Sequence, residues 1–109
     1  MDIRFYTEAD GRGPFEKWFL GLNGEAAAKV TVAVSRLEQG NLSNVKPVGT
    51  GVLEYRVNWG PGYRVYFSRD GDTLVILLTG GSKRRQRQDI ETAIALWADY
   101  RRRRPKTGS

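Results

Sequence analysis

Histidine and cysteine are both absent from the 109 residues of this chain, and its one methionine is the first residue. Without cysteine there are no disulfides and no thiolate chemistry, which fits a reducing compartment. Without histidine, the usual general base, the usual activator of a nucleophile and the commonest metal ligand are missing. Any catalysis must draw on Lys, Arg, Tyr or carboxylates. No carboxylate cluster with metal-ligand spacing stands out, so neither a metal nor another cofactor is expected. Long apolar runs are lacking too. The longest, Leu74 to Leu78, falls far short of the ~20 residues of a membrane span and suits a buried strand. The opening Met1-Asp2-Ile3-Arg4 has no basic flank followed by an apolar segment. The expectation is therefore a cytoplasmic protein with no signal peptide and no membrane association.

What is present suits a folded domain. The apolar fraction of 39% is too high for a disordered chain, and the length allows one domain with one apolar core. The net charge of +6 is unevenly placed. Residues 1–50 and 51–82 are each balanced, whereas residues 83–109 hold nine basic and three acidic side chains. A concentrated basic segment attracts a polyanion better than the same charge spread evenly. The competing reading is a solvated helix face with a ragged tail.

Along the chain, Ile3 to Thr7 reads as a short strand, followed by a Gly11–Pro14 turn in which Pro14 suits the first position of a helix. Phe15, Trp18, Phe19 and Leu22 recur at helical spacing, and Asn23-Gly24 breaks the pattern. A second helix is predicted from about Glu25 to Gln39, with Ala27, Val30, Val34 and Leu37 on its apolar stripe and Gly40 as its stop. Two helices joined this tightly predict a helical hairpin covering a flat partner. Val45 to Val48 reads as an edge strand, because Pro47 lacks the donor a central strand needs.

From Val52 the alternation is clean. Leu53, Tyr55, Val57 and Trp59 point one way, and Glu54, Arg56 and Asn58 the other. After Gly60-Pro61-Gly62, Tyr63, Val65 and Phe67 oppose Arg64, Tyr66 and Ser68. A three-residue loop keeps the faces unmixed and predicts Asn58 opposite Arg64, Arg56 opposite Tyr66 and Glu54 opposite Ser68. The aromatic face then lies under the helical hairpin, and Arg56, Arg64 and Tyr66 share the polar face. Thr73–Thr79 reads as a strand buried on both sides. A last helix follows Lys83, with Ile90, Ala93, Ile94 and Trp97 as its apolar stripe, and ends in Arg101–Arg104, where Pro105 stops it. The predicted fold is α+β: an antiparallel sheet with an N-terminal helical hairpin on one face and a C-terminal helix. Residues 1–100 form the single domain, and 101–109 a basic, flexible tail.

Two guanidiniums, a phenol and an amide thus lie on neighbouring strands, with the Lys83 ammonium near the end of the third. Guanidinium forks match phosphate oxygens, and their permanent charge stabilises a phosphate that gains negative charge. Such a face suits RNA binding and RNA cleavage by the substrate's own 2′-hydroxyl. It also suits an ordinary half-exposed sheet in which Glu54 pairs with a neighbouring Arg. The Trp and Phe residues read as core, and Gly60-Pro61-Gly62 as a hairpin loop. Residue chemistry alone stops at a basic α+β domain contacting nucleic acid.

Gly51-Val52-Leu53-Glu54-Tyr55-Arg56 followed by Gly62-Tyr63-Arg64-Val65-Tyr66-Phe67 resembles the G-x-x-E-x-R … G-x-Y/W-R-x-x-Y core of RelE/ParE-superfamily toxins. Leu77-Leu78-Thr79-Gly80-Gly81-Ser82-Lys83, with Gln86, Asp89-Ile90 and Ala93, is similar to the L-L-x-G-G-x-K-x-x-Q-x-x-D-I-x-x-A signature of the HigB-like addiction module killer branch. The resemblance spans about residues 2–100. It implies a RelE-like fold and the toxin of a type II toxin–antitoxin pair, cutting mRNA on the ribosome without metal. Carried over, it makes Arg64 the stabiliser of the transition-state phosphate and Arg56 its positioner. Lys83 holds the backbone or protonates the leaving oxygen, and Tyr66 is the general base or an orienting group. Asn58, Arg84, Arg85 and Arg87 are the expected RNA contacts. The implied partners are an antitoxin of helix-turn-helix type, the ribosome and mRNA. Some family members use a C-terminal His or Tyr in acid–base chemistry; this chain has no His, and Tyr100 lies far along the last helix. The alternative is a non-enzymatic toxin or regulator of the same fold, binding nucleic acid or a protein target such as gyrase, as ParE-like members do.

Overall fold

A computed structural model describes residues 1–104. Strand β1 (Asp2–Phe5) is followed by helices α1 (Pro14–Leu20) and α2 (Gly24–Glu38). Strands β2 (Val45–Gly49), β3 (Val52–Val57), β4 (Tyr63–Asp70) and β5 (Leu74–Ser82) come next. A 3-10 turn over Lys83–Arg85 leads into α3 (Gln86–Arg103). Local chemistry explains the helix ends. Pro14 stands in the first turn of α1, where its missing N–H costs nothing. The Asn23 side chain accepts from the Ala26 N–H at 2.9 Å and caps α2. Gly40 follows α2 with φ +79°. The α2 stripe is Ala26, Val30, Ala33 and Leu37, displaced slightly from the predicted one, with Ala27 and Val34 on its flank.

The five strands form one sheet in the order β1-β5-β4-β3-β2. β2, with Pro47, lies at one edge. The sheet is antiparallel except at the other edge, where β1 runs parallel to β5. On one face α1 and α2 cover Tyr55, Val57, Val65, Phe67, Val75 and Leu77. On the other, α3 covers Val52, Tyr66, Ile76 and Leu78 through Ala93 and Trp97. β5 is buried on both sides, as its continuous apolar run predicts. No helix among the described residues is long and apolar enough to cross a membrane.

The predicted hairpin register is off by two residues. Arg56 lies opposite Arg64, Glu54 opposite Tyr66 and Val57 opposite Tyr63, so the loop is Asn58–Gly62. A slip of two preserves both faces, so alternation cannot choose between the registers. The loop decides: Trp59 leaves the strand, its N–H bonding to Val57 O and its carbonyl accepting from Gly62 N. Gly60 and Gly62 take positive φ to close the turn. The paired glycines of β5 serve packing. A Cβ on Gly80 would overlap the Trp18 ring of α1, and one on Gly81 would overlap the Asp89 carboxylate of α3.

The last helix ends at Arg103, within the predicted Arg101–Arg104, so these arginines belong to the helix rather than to a tail. Arg101–Arg103 are the last turn of α3. The Asp99 carboxylate accepts from Arg102 and Arg103, Asp70 accepts from Arg104, and the Thr7 carbonyl also accepts from Arg103. Tyr6 and Tyr100 donate to Asp99 and Asp70 at 2.6 and 2.7 Å, tying the end of α3 to the sheet. The remainder of the expected tail, 105–109, lies outside the described residues.

Candidate functional site

Because α3 crosses only part of the second sheet face, the predicted polar face is divided. Its lower part is core, and its upper end, at the β3–β4 hairpin, stays open. Cross-strand neighbours of like charge, Arg56 and Arg64, would repel on a bare sheet. Glu54, fully buried two residues before Arg56, relieves that repulsion. Its Oε1 lies 3.3 Å from Arg64 Nε, 3.8 Å from Arg56 Nε and 4.0 Å from Lys46 Nζ. Its Oε2 accepts from Gln86 Nε2 at 3.0 Å. At an effective dielectric near 20, a 3.3 Å contact is worth on the order of 5 kcal/mol before desolvation. Burying the two ions costs several kcal/mol each. The pair therefore acts mainly on geometry, holding two cations side by side.

Lys83 reaches the same end of the sheet because its N–H donates to Gly62 O at 2.9 Å, joining the end of β5 to the hairpin loop. The result is a cleft of about 280 Å³. Four cations line it, Lys46, Arg56, Arg64 and Lys83, together with Asn58, Tyr63 and Gln86. No carboxylate is exposed in its wall. Such a cleft can bind an anion through several charge-assisted donors and stabilise charge that develops on it. Among the described residues, no group of three or more carboxylates is placed to hold a metal ion.

The fold brings together Arg56, Arg64, Lys83 and Asn58 of the predicted site residues. It separates the others. Tyr66 lies fully buried under α3. Burial, followed by the charges of Glu54 and Asp89, raises its phenol far above the usual range. A phenol so placed is a poor general base, which removes Tyr66 from that role and leaves it a core residue beneath the cleft. Arg84, Arg85 and Arg87 line a shallow surface with Gln88 and Glu91 that shares no residue with the cleft. Asp89 is half-buried, with its carboxylate against Gly81 and its buried Oδ2 unpartnered, and burial pushes its carboxyl up against the opposing pull of Arg85.

Three side chains of the cleft wall, Lys46, Tyr63 and Gln86, and the buried Glu54 beneath it were missed as functional candidates. Glu54 carried a signal, sitting two residues from Arg56 and so on its face. Lys46 stands directly opposite Glu54 in the β2–β3 register, which the sequence pattern did not resolve. Gln86 reaches Glu54 only because the 3-10 turn folds the start of α3 back over the strand end.

Residues 17–98 match the family described as Phage derived protein Gp49-like (DUF891). The chain belongs to this family. A similar protein from Haemophilus influenzae (strain ATCC 51907 / DSM 11121 / KW20 / Rd), described as an uncharacterized protein, is 42% identical over 80 residues. That match covers 72% of this chain and 81% of the relative. The family segment contains every cleft residue and all the buried residues of both cores except Tyr6 and Phe15, and it ends before the arginines that close α3.

Proposed function

We propose that this chain is the toxin of a type II toxin–antitoxin pair, of the HigB-like kind, and that it cuts mRNA on the ribosome in the cytoplasm. The observation that carries this reading is the pair Arg56 and Arg64, held side by side over buried Glu54 in a cleft whose exposed charges are all positive. In the reaction, the 2′-hydroxyl of a nucleotide gives its proton to water as its oxygen attacks the adjacent phosphorus, while the bond to the 5′-oxygen of the next nucleotide breaks. The products are a 2′,3′-cyclic phosphate and a free 5′-hydroxyl. Arg64 and Arg56 stabilise the charge that gathers on the phosphoryl oxygens. Lys83, in the wall of the same cleft, protonates the leaving oxygen. With no carboxylate or imidazole in the cleft wall, the cations carry more of the catalysis than a base does. The partner is an antitoxin of helix-turn-helix type with an acidic or amphipathic segment that masks the cleft.

Ribosome-programmed mRNA cleavage by Arg56→Ala, Arg64→Ala and Lys83→Ala tests the reading. Removing a preorganised donor of this kind lowers the rate about 100-fold or more, and Arg64→Ala should show the largest loss. If all three variants fold, bind antitoxin and still arrest growth, the nuclease reading is wrong.

A further inference from the structure

β3 loses its outer neighbour before it ends. The pairing of β2 stops at Val45 opposite Tyr55, and Asn44 O takes one last bond from Arg56 N at 3.1 Å. Past that point the open edge of β3 and the side of α2 enclose a second hollow of about 270 Å³. Lys29 and Arg36 of α2 line it, with Asn44, Asn58 and Trp59. It shares Arg56, Val57 and Asn58 with the cleft, so the two form one groove that wraps around the strand edge.

The charges in this groove have one sign. Six cations line its two parts, Lys29, Arg36, Lys46, Arg56, Arg64 and Lys83, and no carboxylate does, although the chain has 12 acidic residues. Lys29 and Arg36 stand seven residues apart on α2, about 10 Å along one helix face. Neither forms an ion pair among the described residues, even with Glu25 four residues before Lys29. Arg36 is steered by Tyr55, whose hydroxyl accepts from Nη1 at 3.5 Å. Trp59 is half-buried and stacks on Tyr63 with ring centroids 6.3 Å apart. Trp59 lines the outer hollow and Tyr63 the inner one, so an aromatic ridge separates two sets of cations.

We propose that the outer hollow is a second nucleotide subsite. Lys29 and Arg36 each bind a phosphate of the same strand whose scissile phosphate sits at Arg56 and Arg64, and Trp59 stacks on an intervening base. The inference rests on the reading of the cleft as an RNA site. Single-stranded RNA is the occupant because the groove bends around a strand edge, a path that a stiff duplex does not follow, and because stacking needs an unpaired base.

Binding of a fluorescent single-stranded RNA about eight nucleotides long, measured across a salt series with the whole chain, tests this. Each phosphate contact to a single strand contributes about 0.7 to the slope of log affinity against log salt. Lys29→Gln/Arg36→Gln should reduce that slope by about 1.4, and restoring Arg36 as Lys should recover about half of the loss. Trp59→Leu should weaken binding about tenfold with the slope unchanged. Unchanged affinity and slope in the double glutamine variant, or no binding by the unaltered chain, would overturn the subsite. Loss of antitoxin binding with RNA binding intact would also overturn it, and would assign the groove to an acidic protein segment. Ribosome-programmed cleavage is scored separately. If Arg64→Ala abolishes cleavage while the double variant is unchanged in both assays, the subsite fails and the proposed function stands. If the unaltered chain never cleaves yet shows the slope change, the function fails and the subsite stands.

Discussion

At one end of β4, Arg56 and Arg64 share the Glu54 carboxylate with Lys46, and the rest of their donors face an open cleft. At the other end, Arg102 and Arg103 meet Asp99, Arg104 meets Asp70, and Arg101 lies over the Trp97 ring. The two clusters hold a similar net charge, but the first holds more unused hydrogen-bonding capacity. A count of basic residues along the chain measures only the former. Affinity for an anion depends on donors that are desolvated, oriented and unpartnered, and a carboxylate nearby removes them from use. The C-terminal arginines fasten a helix; the hairpin arginines are held apart from everything except one buried counter-ion.

Glu54→Gln should break this contrast most strongly. The change leaves Arg64 buried beside Arg56 with no negative charge, and loss of one partner of a buried pair costs about 3 kcal/mol. Denaturant unfolding should show that loss, and RNA cleavage should fall even at temperatures where the variant is folded. A variant of unchanged stability and activity would mean that Glu54 does not hold the cations.

Acid should act mainly on the other cluster. The Tyr6 hydroxyl, then Arg102 and Arg103, hold the Asp99 carboxyl at about 2, below the usual carboxylate range. A lowered folded-state pKa means that the stabilisation is full above the unfolded value near 4 and is lost as pH falls from about 4 towards about 2. Thermal midpoints measured across that window should fall more steeply for the unaltered chain than for Asp99→Asn. Parallel curves would show that the tie between α3 and the sheet is not ionic.

The smallest expected effect sharpens the comparison. Arg103→Gln/Arg104→Gln should loosen the end of α3 while leaving the RNA salt slope within error of the unaltered chain. A drop as large as that expected for Lys29→Gln/Arg36→Gln would erase the distinction between the two clusters.

The particular successes and failures of sequence reading share a cause. The edge position of β2 was legible from Pro47, because a missing N–H is a local property. So was the burial of β5, from an unbroken apolar run. The parallel pairing of β1 with β5 was not, since nothing near Asp2–Phe5 encodes which distant strand it meets or in which direction. Gly80 and Gly81 were visible as a pair, but their reason is the Trp18 ring on one side and the Asp89 carboxylate on the other.

The sequence by itself determined which side chains share a face of the β3–β4 hairpin, because alternation has a period of two and survives a slip of two residues. It thereby placed Arg56 and Arg64 together and set the apolar face under the first two helices. Only the tertiary structure decided that these arginines stand directly opposite one another, that Glu54 lies beneath them, and that α3 buries Tyr66. Those outcomes depend on contacts between segments far apart in the chain, whose energies no local pattern contains.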